Sequence, residues 1–325
     1  MQLTLTLDIP PLSRPITYGD TLLLTGSCFT EHIAGRLAQH KFRVLQNPHG
    51  ILFNPHSVAD SLDSYLEERQ YTTADLFLLN ETWNSWDHHT RFSDVAPEKT
   101  LEKINASQQQ AARTIRQADW VIITLGSAFQ YYLKESGRPV ANNHRAPAQW
   151  FEKRLLQIEE IVHTLSATLN KLAQVNPGAR VLFTISPVRH IRDGVVANNR
   201  SKARLIDAVH TLCDDFPQVH YFPAYELVID ILRDYRFYDI DFVHPNYLAT
   251  ETVWEQFVKA CIDPAALPVM EQVKDIMTAM GHRPRFPGTE GHRKFLQSYA
   301  AKVEALKLAH PHLELADELG YFSRR

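Results

Sequence analysis

The run TLLLTGSCFT, Thr21 to Thr30, decides how the rest of the chain is read. An apolar stretch stops at Gly26-Ser27 and a helical pattern begins at once. A short continuous apolar run closed by glycine reads as a buried strand. From Thr30 to Phe42, the apolar positions Ile33, Ala34, Leu37 and Phe42 suit an amphipathic helix. In an open α/β sheet, ligands bind outside the carboxyl ends of the strands. Ser27 therefore has two readings: a cap for the helix that follows, or a nucleophile.

The same design recurs downstream. DWVIITLGSAFQYY carries Val121, Ile122 and Ile123 into Gly126-Ser127, ARVLFTISP is a third buried strand ending in Ser-Pro, and QVHYFPAYELV supplies a fourth. Helical patterns are expected over 58–68, 101–117, 150–174, 201–214 and 247–261. DLFLLNETWNSWDHHTRFSD reads as two short strands around a polar turn, and VLQNPHGILFNPHS reads as a loop whose last residue, Ser57, caps the next helix. Alternating strands and helices predict a parallel sheet with helices on both faces, a three-layer α/β/α fold. Right-handed crossovers then bring the Gly-Ser and Ser-Pro strand ends to one edge. Residues 1–20 are Pro-punctuated and extended. After residue 263 a Pro/Gly-rich basic stretch, HRPRFPGTEGHRKF, precedes a final helix over 293–309. The expected division is a main domain, 1–263, and a helical appendage, 264–325.

With 325 residues and a formal charge of −3, the chain gives no electrostatic reason to expect nucleic acid or an anionic membrane as partner. No basic start with an apolar core opens the sequence, and no apolar run approaches membrane-spanning length, so a cytoplasmic protein is expected. Cys28, Cys213 and Cys261 are too few and too scattered for a disulfide framework. The 16 histidines invite a metal, but no His-x-x-x-His or His-Glu-x-x-His spacing occurs; no metal or cofactor is expected.

A serine needs a base, and the base needs an orienting group. DIDFVHPNYLAT offers Asp241 and His244 three residues apart, with Pro245 suited to a first helical turn. Such a turn lets the carboxylate reach one ring nitrogen and leaves the other free. The alternative is a helix cap with a surface histidine.

Taken together, GSCFT near the first strand and DFVHP before a late helix resemble the outer motifs of the SGNH hydrolases. GSCFTEHI is similar to the signature of the GSCFA-domain family within that superfamily, with Thr30 where the name has Ala. NPHGILFNPHSVA, TLGSAFQYY, TISPVRH and RFYDIDFVHPNYLA resemble its further blocks, in order, over about 21–258. The resemblance implies a flavodoxin-like sheet with Ser27 as nucleophile, His244 as general base and Asp241 as its orienter. It further implies an oxyanion hole formed by the Ser27 amide and Gly50, with the Asn54 side chain as an alternative to Gly50. The superfamily's third-block Asn is missing after Gly126, where Ser127 stands in its place.

Other residues suit the rim of such a site. Trp86 offers an apolar face for a sugar or acyl group, and His89 lies beside it; His88 and His89, adjacent on a strand, would point to opposite faces. Asn143 and His144 fall on a polar loop after the second Gly-Ser strand end, and Arg189 and His190 follow the third strand. Cys28, about 100° around the helix from Ser27, reads as a packed structural cysteine. The expected function is a serine esterase acting on a small-molecule or carbohydrate ester, with O-acetyl groups favoured. An acyltransferase using the same triad and a non-catalytic ligand-binding protein remain as alternatives.

Overall fold

The computed structural model describes residues 5–323; the first four residues of the expected extended segment and the last two of the appendage lie outside the described residues. In chain order, β1 (Thr21–Gly26), α1 (Cys28–Gln39), β2 (Arg43–Gln46) and α2 (Pro55–Leu66) come first. Next are the hairpin β3 (Leu76–Leu79) and β4 (Thr82–Ser85), then α3 (Pro97–Ile115) and β5 (Trp120–Leu125). A small antiparallel sheet of β6 (Phe129–Leu133), β7 (Pro139–Val140) and β8 (Phe151–Leu155) precedes α4 (Ile158–Val175). After them run β9 (Arg180–Ile185), α5 (Val195–Asp215), β10 (Val219–Tyr221) and α6 (Ala224–Glu226), which continues as a π-helical turn, Leu227–Leu232. The chain closes with α7 (Tyr247–Cys261), α8 (Leu267–Gly281), α9 (Glu290–Ala309) and α10 (Ala316–Phe322).

Among the described residues the central sheet has five strands, all parallel, in the order β10-β9-β5-β1-β2. This is the flavodoxin-like order, with its switch point between β1 and β5. Each apolar run is divided between two cores because successive side chains alternate across the sheet. Leu22, Leu24, Trp120, Ile122 and Leu182 face a core shared with α1, α7 and α8. Leu23, Val121, Ile123, Val181 and Phe183 face the core built with α2, α4 and α5. The register sets Gly26 beside Thr124 and Leu125 beside Ile185. The ends of β1, β5 and β9 are therefore flush, and Ser27, Gly126-Ser127 and Ser186 share one edge.

Three expectations need correcting. The helix predicted over 150–174 begins only at Ile158. Its first part is β8, where FEKRL alternates inward and outward and pairs residue for residue with β6; Glu160 then accepts the Gln157 amide at 2.7 Å and starts the helix. Residues 44–46, read as the start of a loop, belong instead to the edge strand β2 against β1. The cap of α2 is Asn54 rather than Ser57: Asn54 Oδ1 accepts the Ser57 amide at 2.9 Å, and Pro55 occupies the first helical turn.

The C-terminal helices do not carry a core of their own. Val269, Met270, Val273, Val303, Leu306 and Phe322 belong to the same buried cluster as Leu22 and Leu24. Helix α8 was not anticipated from sequence, although its apolar positions 269, 270, 273 and 276 keep helical spacing. No helix among the described residues is long and apolar enough to cross a membrane.

Candidate active site

Ser27 sits between β1 and α1 as the helix cap, its Oγ accepting the Phe29 amide at 3.3 Å. The turn has a strict requirement just before it. Gly26 has φ +139°, and a Cβ there would fall 2.2 Å from the Thr124 carbonyl oxygen. Asn47, buried on the following loop, accepts the Gly26 amide on its Oδ1 at 3.0 Å. Ser27 itself is fully buried. Its neighbour Cys28 is a poor nucleophile: burial, then Glu31, push its thiol pKa up against the lowering effect of Lys202.

Asp241 and His244 are joined as their spacing suggested. Asp241 Oδ2 lies 2.6 Å from His244 Nδ1, and Oδ1 accepts the amides of Val243 and His244 at 2.9 and 3.0 Å. The His244 ring, followed by these two amides, holds the Asp241 carboxyl down to about 2. Ionised across the working range, this carboxylate can accept only a proton carried on His244 Nδ1, which turns Nε2 away from it. The turn is closed by an Asp239 amide to His244 carbonyl bond of 2.8 Å and passes through Phe242 at φ +57°. A left-handed non-glycine residue persists only where its surroundings hold it.

One hydrogen bond brings this turn to the sheet edge: the Arg189 amide, in the segment after β9, donates to the Val243 carbonyl at 3.2 Å. Gly126 lies at the centre: a Cβ there would stand 3.2 Å from Ser27 Cβ, 3.2 Å from Phe53 Cδ1 and 3.3 Å from His190 Nε2. Below it, the buried Lys202 donates to the carbonyls of Gly126 and Ser186, both at 2.6 Å. Burial lowers its ammonium pKa to about 7.

Three of the four expected oxyanion donors have their amides committed elsewhere. The Ser27 amide continues the β1–β5 ladder, donating to Thr124 at 3.0 Å, and the Gly50 amide closes a turn on Asn47 at 2.7 Å. Gly50 is required there for another reason, since at φ +82° a Cβ would meet His89 Cβ at 2.1 Å. The Ser127 amide donates to Phe53 at 2.9 Å, while its Oγ accepts the Phe129 amide at 3.1 Å and lies 3.4 Å from Ser201 Oγ. Asn54 uses its Oδ1 in the α2 cap, which leaves its NH2 as the group able to donate to a ligand. Asn54 and Ser127 line a cleft of about 440 Å³ with Phe53, His190 and Val243.

The GSCFA family model matches residues 21–257, and the model of the GSCFA domain protein C-terminal domain matches residues 273–325. The chain belongs to the GSCFA family. No curated protein matches it. Among solved structures, an acetyl xylan esterase from the rumen bacterium Butyrivibrio proteoclasticus is similar at 10% identity and a TM-score of 0.35, over 76% of this chain and 64% of that one. The chain thus spans less than two thirds of that esterase's length.

In this GSCFA chain the remaining rim residues divide. Asn143 and Arg189 line the cleft, with Arg189 laid over the Tyr238 ring at 4.3 Å. Trp86 does not offer a free face, because it is buried, stacked on Phe77 at 3.6 Å and edge-on to Phe151. His144 also turns inward and lies 2.8 Å from the Ser85 carbonyl through Nε2. His89 stands in the turn after β4, packs against Gly50 and caps a short helix by accepting the Arg91 amide at 3.3 Å. Its neighbour His88 is fully buried against Ser85. Sequence reasoning missed Asn47 and Lys202. The signal for Lys202 was there: with Asn198, Leu205, Val209 and Leu212 it falls on the buried stripe of α5.

Proposed function

We propose that this GSCFA protein is a serine esterase in which Ser27, His244 and Asp241 form the catalytic triad. The observation that carries the reading is the 2.6 Å Asp241–His244 pair, held on a turn tied to the edge where β1 delivers Ser27. His244 Nε2 takes the Ser27 Oγ proton as Oγ adds to the ester carbonyl carbon, and the carbonyl electron pair moves onto oxygen. Collapse of this adduct expels the alcohol, which leaves with the proton from His244. Water then repeats the sequence on the acyl-serine and releases the acid. The Asn54 NH2 supports the oxyanion from the cleft side.

A buried nucleophile favours a small acyl group, and the Asn143 and Arg189 side chains in the cleft favour a hydroxylated alcohol. O-acetylated carbohydrate is the substrate class that joins the two. Residues 1–263 carry the chemistry in this reading, with 264–325 as a helical appendage bracing α1.

A fluorophosphonate probe, which needs an activated serine and little else, tests this. Labelling of wild type but not of Ser27→Ala or His244→Ala is expected. A folded wild type that stays unlabelled would turn the assignment to a ligand-binding protein. Faster acyl consumption with excess sugar acceptor would make it a transferase.

A further inference from the structure

We propose that His190 donates its Nε2–H to the oxyanion formed when Ser27 attacks, taking the place of the Asn absent after Gly126. This rests on the esterase reading above. The geometry comes from Gly126, whose missing side chain leaves a space bounded by Ser27 Cβ and His190 Nε2 at 3.2 and 3.3 Å. In this reading the oxygen of a carbonyl carbon bonded to Ser27 Oγ occupies this space, beside both Ser27 and His190.

His190 Nε2 is buried and has no hydrogen-bond partner among the described residues. A buried polar atom left open calls for an explanation, and a ligand that arrives only during reaction supplies one. The ring is well anchored for the task. The His190 amide donates to Asn198 Oδ1 at 2.8 Å, the preceding amide is bonded to Val243, and the ring stands edge-on to Phe53 at 5.4 Å between centroids.

Its protonation suits a donor and not a base. Burial first, and then the charges of Lys202, His244 and Lys153, push its pKa down to about 4, with Asp193 opposing them. The imidazole is neutral at working pH and carries a single N–H, which a buried site can aim at an oxyanion without bringing in a second charge. His244 has a carboxylate on its Nδ1 and is the base. The two histidines thus divide the work: His244 moves the proton, and His190 receives the negative charge.

The test uses the full chain with p-nitrophenyl acetate, comparing His190→Phe, which keeps an aromatic ring, and His190→Gln, which keeps an N–H. His190→Phe should lower kcat by about 10²–10³-fold with KM changed less than about twofold, and His190→Gln should recover part of the loss. The pH profile of the residual activity should keep its position, and a boronic acid inhibitor, which forms a tetrahedral adduct, should bind more weakly to His190→Phe while acetate does not. Unchanged kcat in His190→Phe, beside wild-type turnover abolished by Ser27→Ala, would overturn this proposal and leave the esterase reading standing. Loss of the acid limb of the profile would make His190 a base, also against it. Equal loss in both variants with lowered thermal stability would reduce His190 to packing. Wild-type turnover that survives Ser27→Ala, or no turnover and no probe labelling, would overturn both.

Discussion

Lys202 on α5 donates to the carbonyl of Gly126 at 2.6 Å, and through a second 2.6 Å bond to Ser186 it clamps the ends of β5 and β9 together. The lysine is buried, so its charge is costly, yet removing it strands two carbonyls at about 1–3 kcal/mol each. Lys202→Met should therefore change stability less than it changes turnover, because the freed Gly126 peptide no longer holds its place beside Ser27. The pH dependence is specific. The folded pKa of about 7 lies below the ordinary 10.5, so the unfolded chain takes the proton first as pH falls. The stability linked to Lys202 is complete above 10.5 and is lost as pH falls through 7. The stability of wild type relative to Lys202→Met should be lower at pH 7 than at pH 9.5; a difference in denaturation midpoints that is the same at both pH values would show that no such linkage exists.

Gly126→Ala places a methyl group between Ser27, Phe53 and His190 at 3.2–3.3 Å, a few tenths of an ångström too close. The fold can yield that much, so a loss near 1 kcal/mol is expected, at the low end for overpacking. Activity should fall by at least about tenfold, since a small misplacement at the reacting atoms costs more than one in the core. A melting curve together with steady-state kinetics separates the two effects.

Asp241→Asn keeps an Oδ1 to accept the Val243 and His244 amides, but it turns an NH2 toward the His244 ring. The ring must then offer Nδ1 as acceptor and carry its proton on Nε2, the wrong tautomer for a base. Turnover should fall on the order of 10⁴-fold, as in serine protease triads, with the melting temperature nearly unchanged because the turn is exposed. A loss of less than tenfold would show that Asp241 does not orient the base.

Acid should destabilise the protein before its carboxylates titrate. Burial lowers His49 and His190 to about 4 and holds His88 well below the ordinary 6.5. As pH falls below 6.5 the unfolded chain binds these protons first, so their contribution, full above 6.5, is lost through 4, at about 1.4 kcal/mol per proton per pH unit. Asp60 works in the opposite direction: desolvation, Asp87 and Asp63 raise it to about 6, and the folded state takes its proton first. Guanidinium midpoints should drop between pH 6.5 and 4.5, since the lowered histidines outnumber Asp60, and His49→Gln should flatten the slope. A flat profile in wild type would contradict the buried neutral histidines.

Features that depend only on neighbours along the chain are legible in the amino-acid order. Buried parallel strands read as unbroken apolar runs, so β1, β5 and β9 and their Gly-Ser and Ser-Pro ends were legible. Asp241 and His244 are three residues apart, so their pairing is a property of one turn, and it was legible too. Where a local pattern was misread, as in the alternating FEKRL of β8, the signal was still in the sequence. Which polar groups remain free depends on the folded chain. The loop from Asn47 to Asn54 crosses the sheet edge and consumes the Gly50, Gly126 and Ser127 amides, while β5 consumes that of Ser27. The faces of Trp86 and His144 are taken by Phe77 and Ser85, partners far away in sequence or across a loop. His190 is left open and Lys202 is set beneath Gly126 for the same reason. Hydrogen-bonding capacity is written residue by residue, but whether it is already spent depends on which distant backbone arrives beside it.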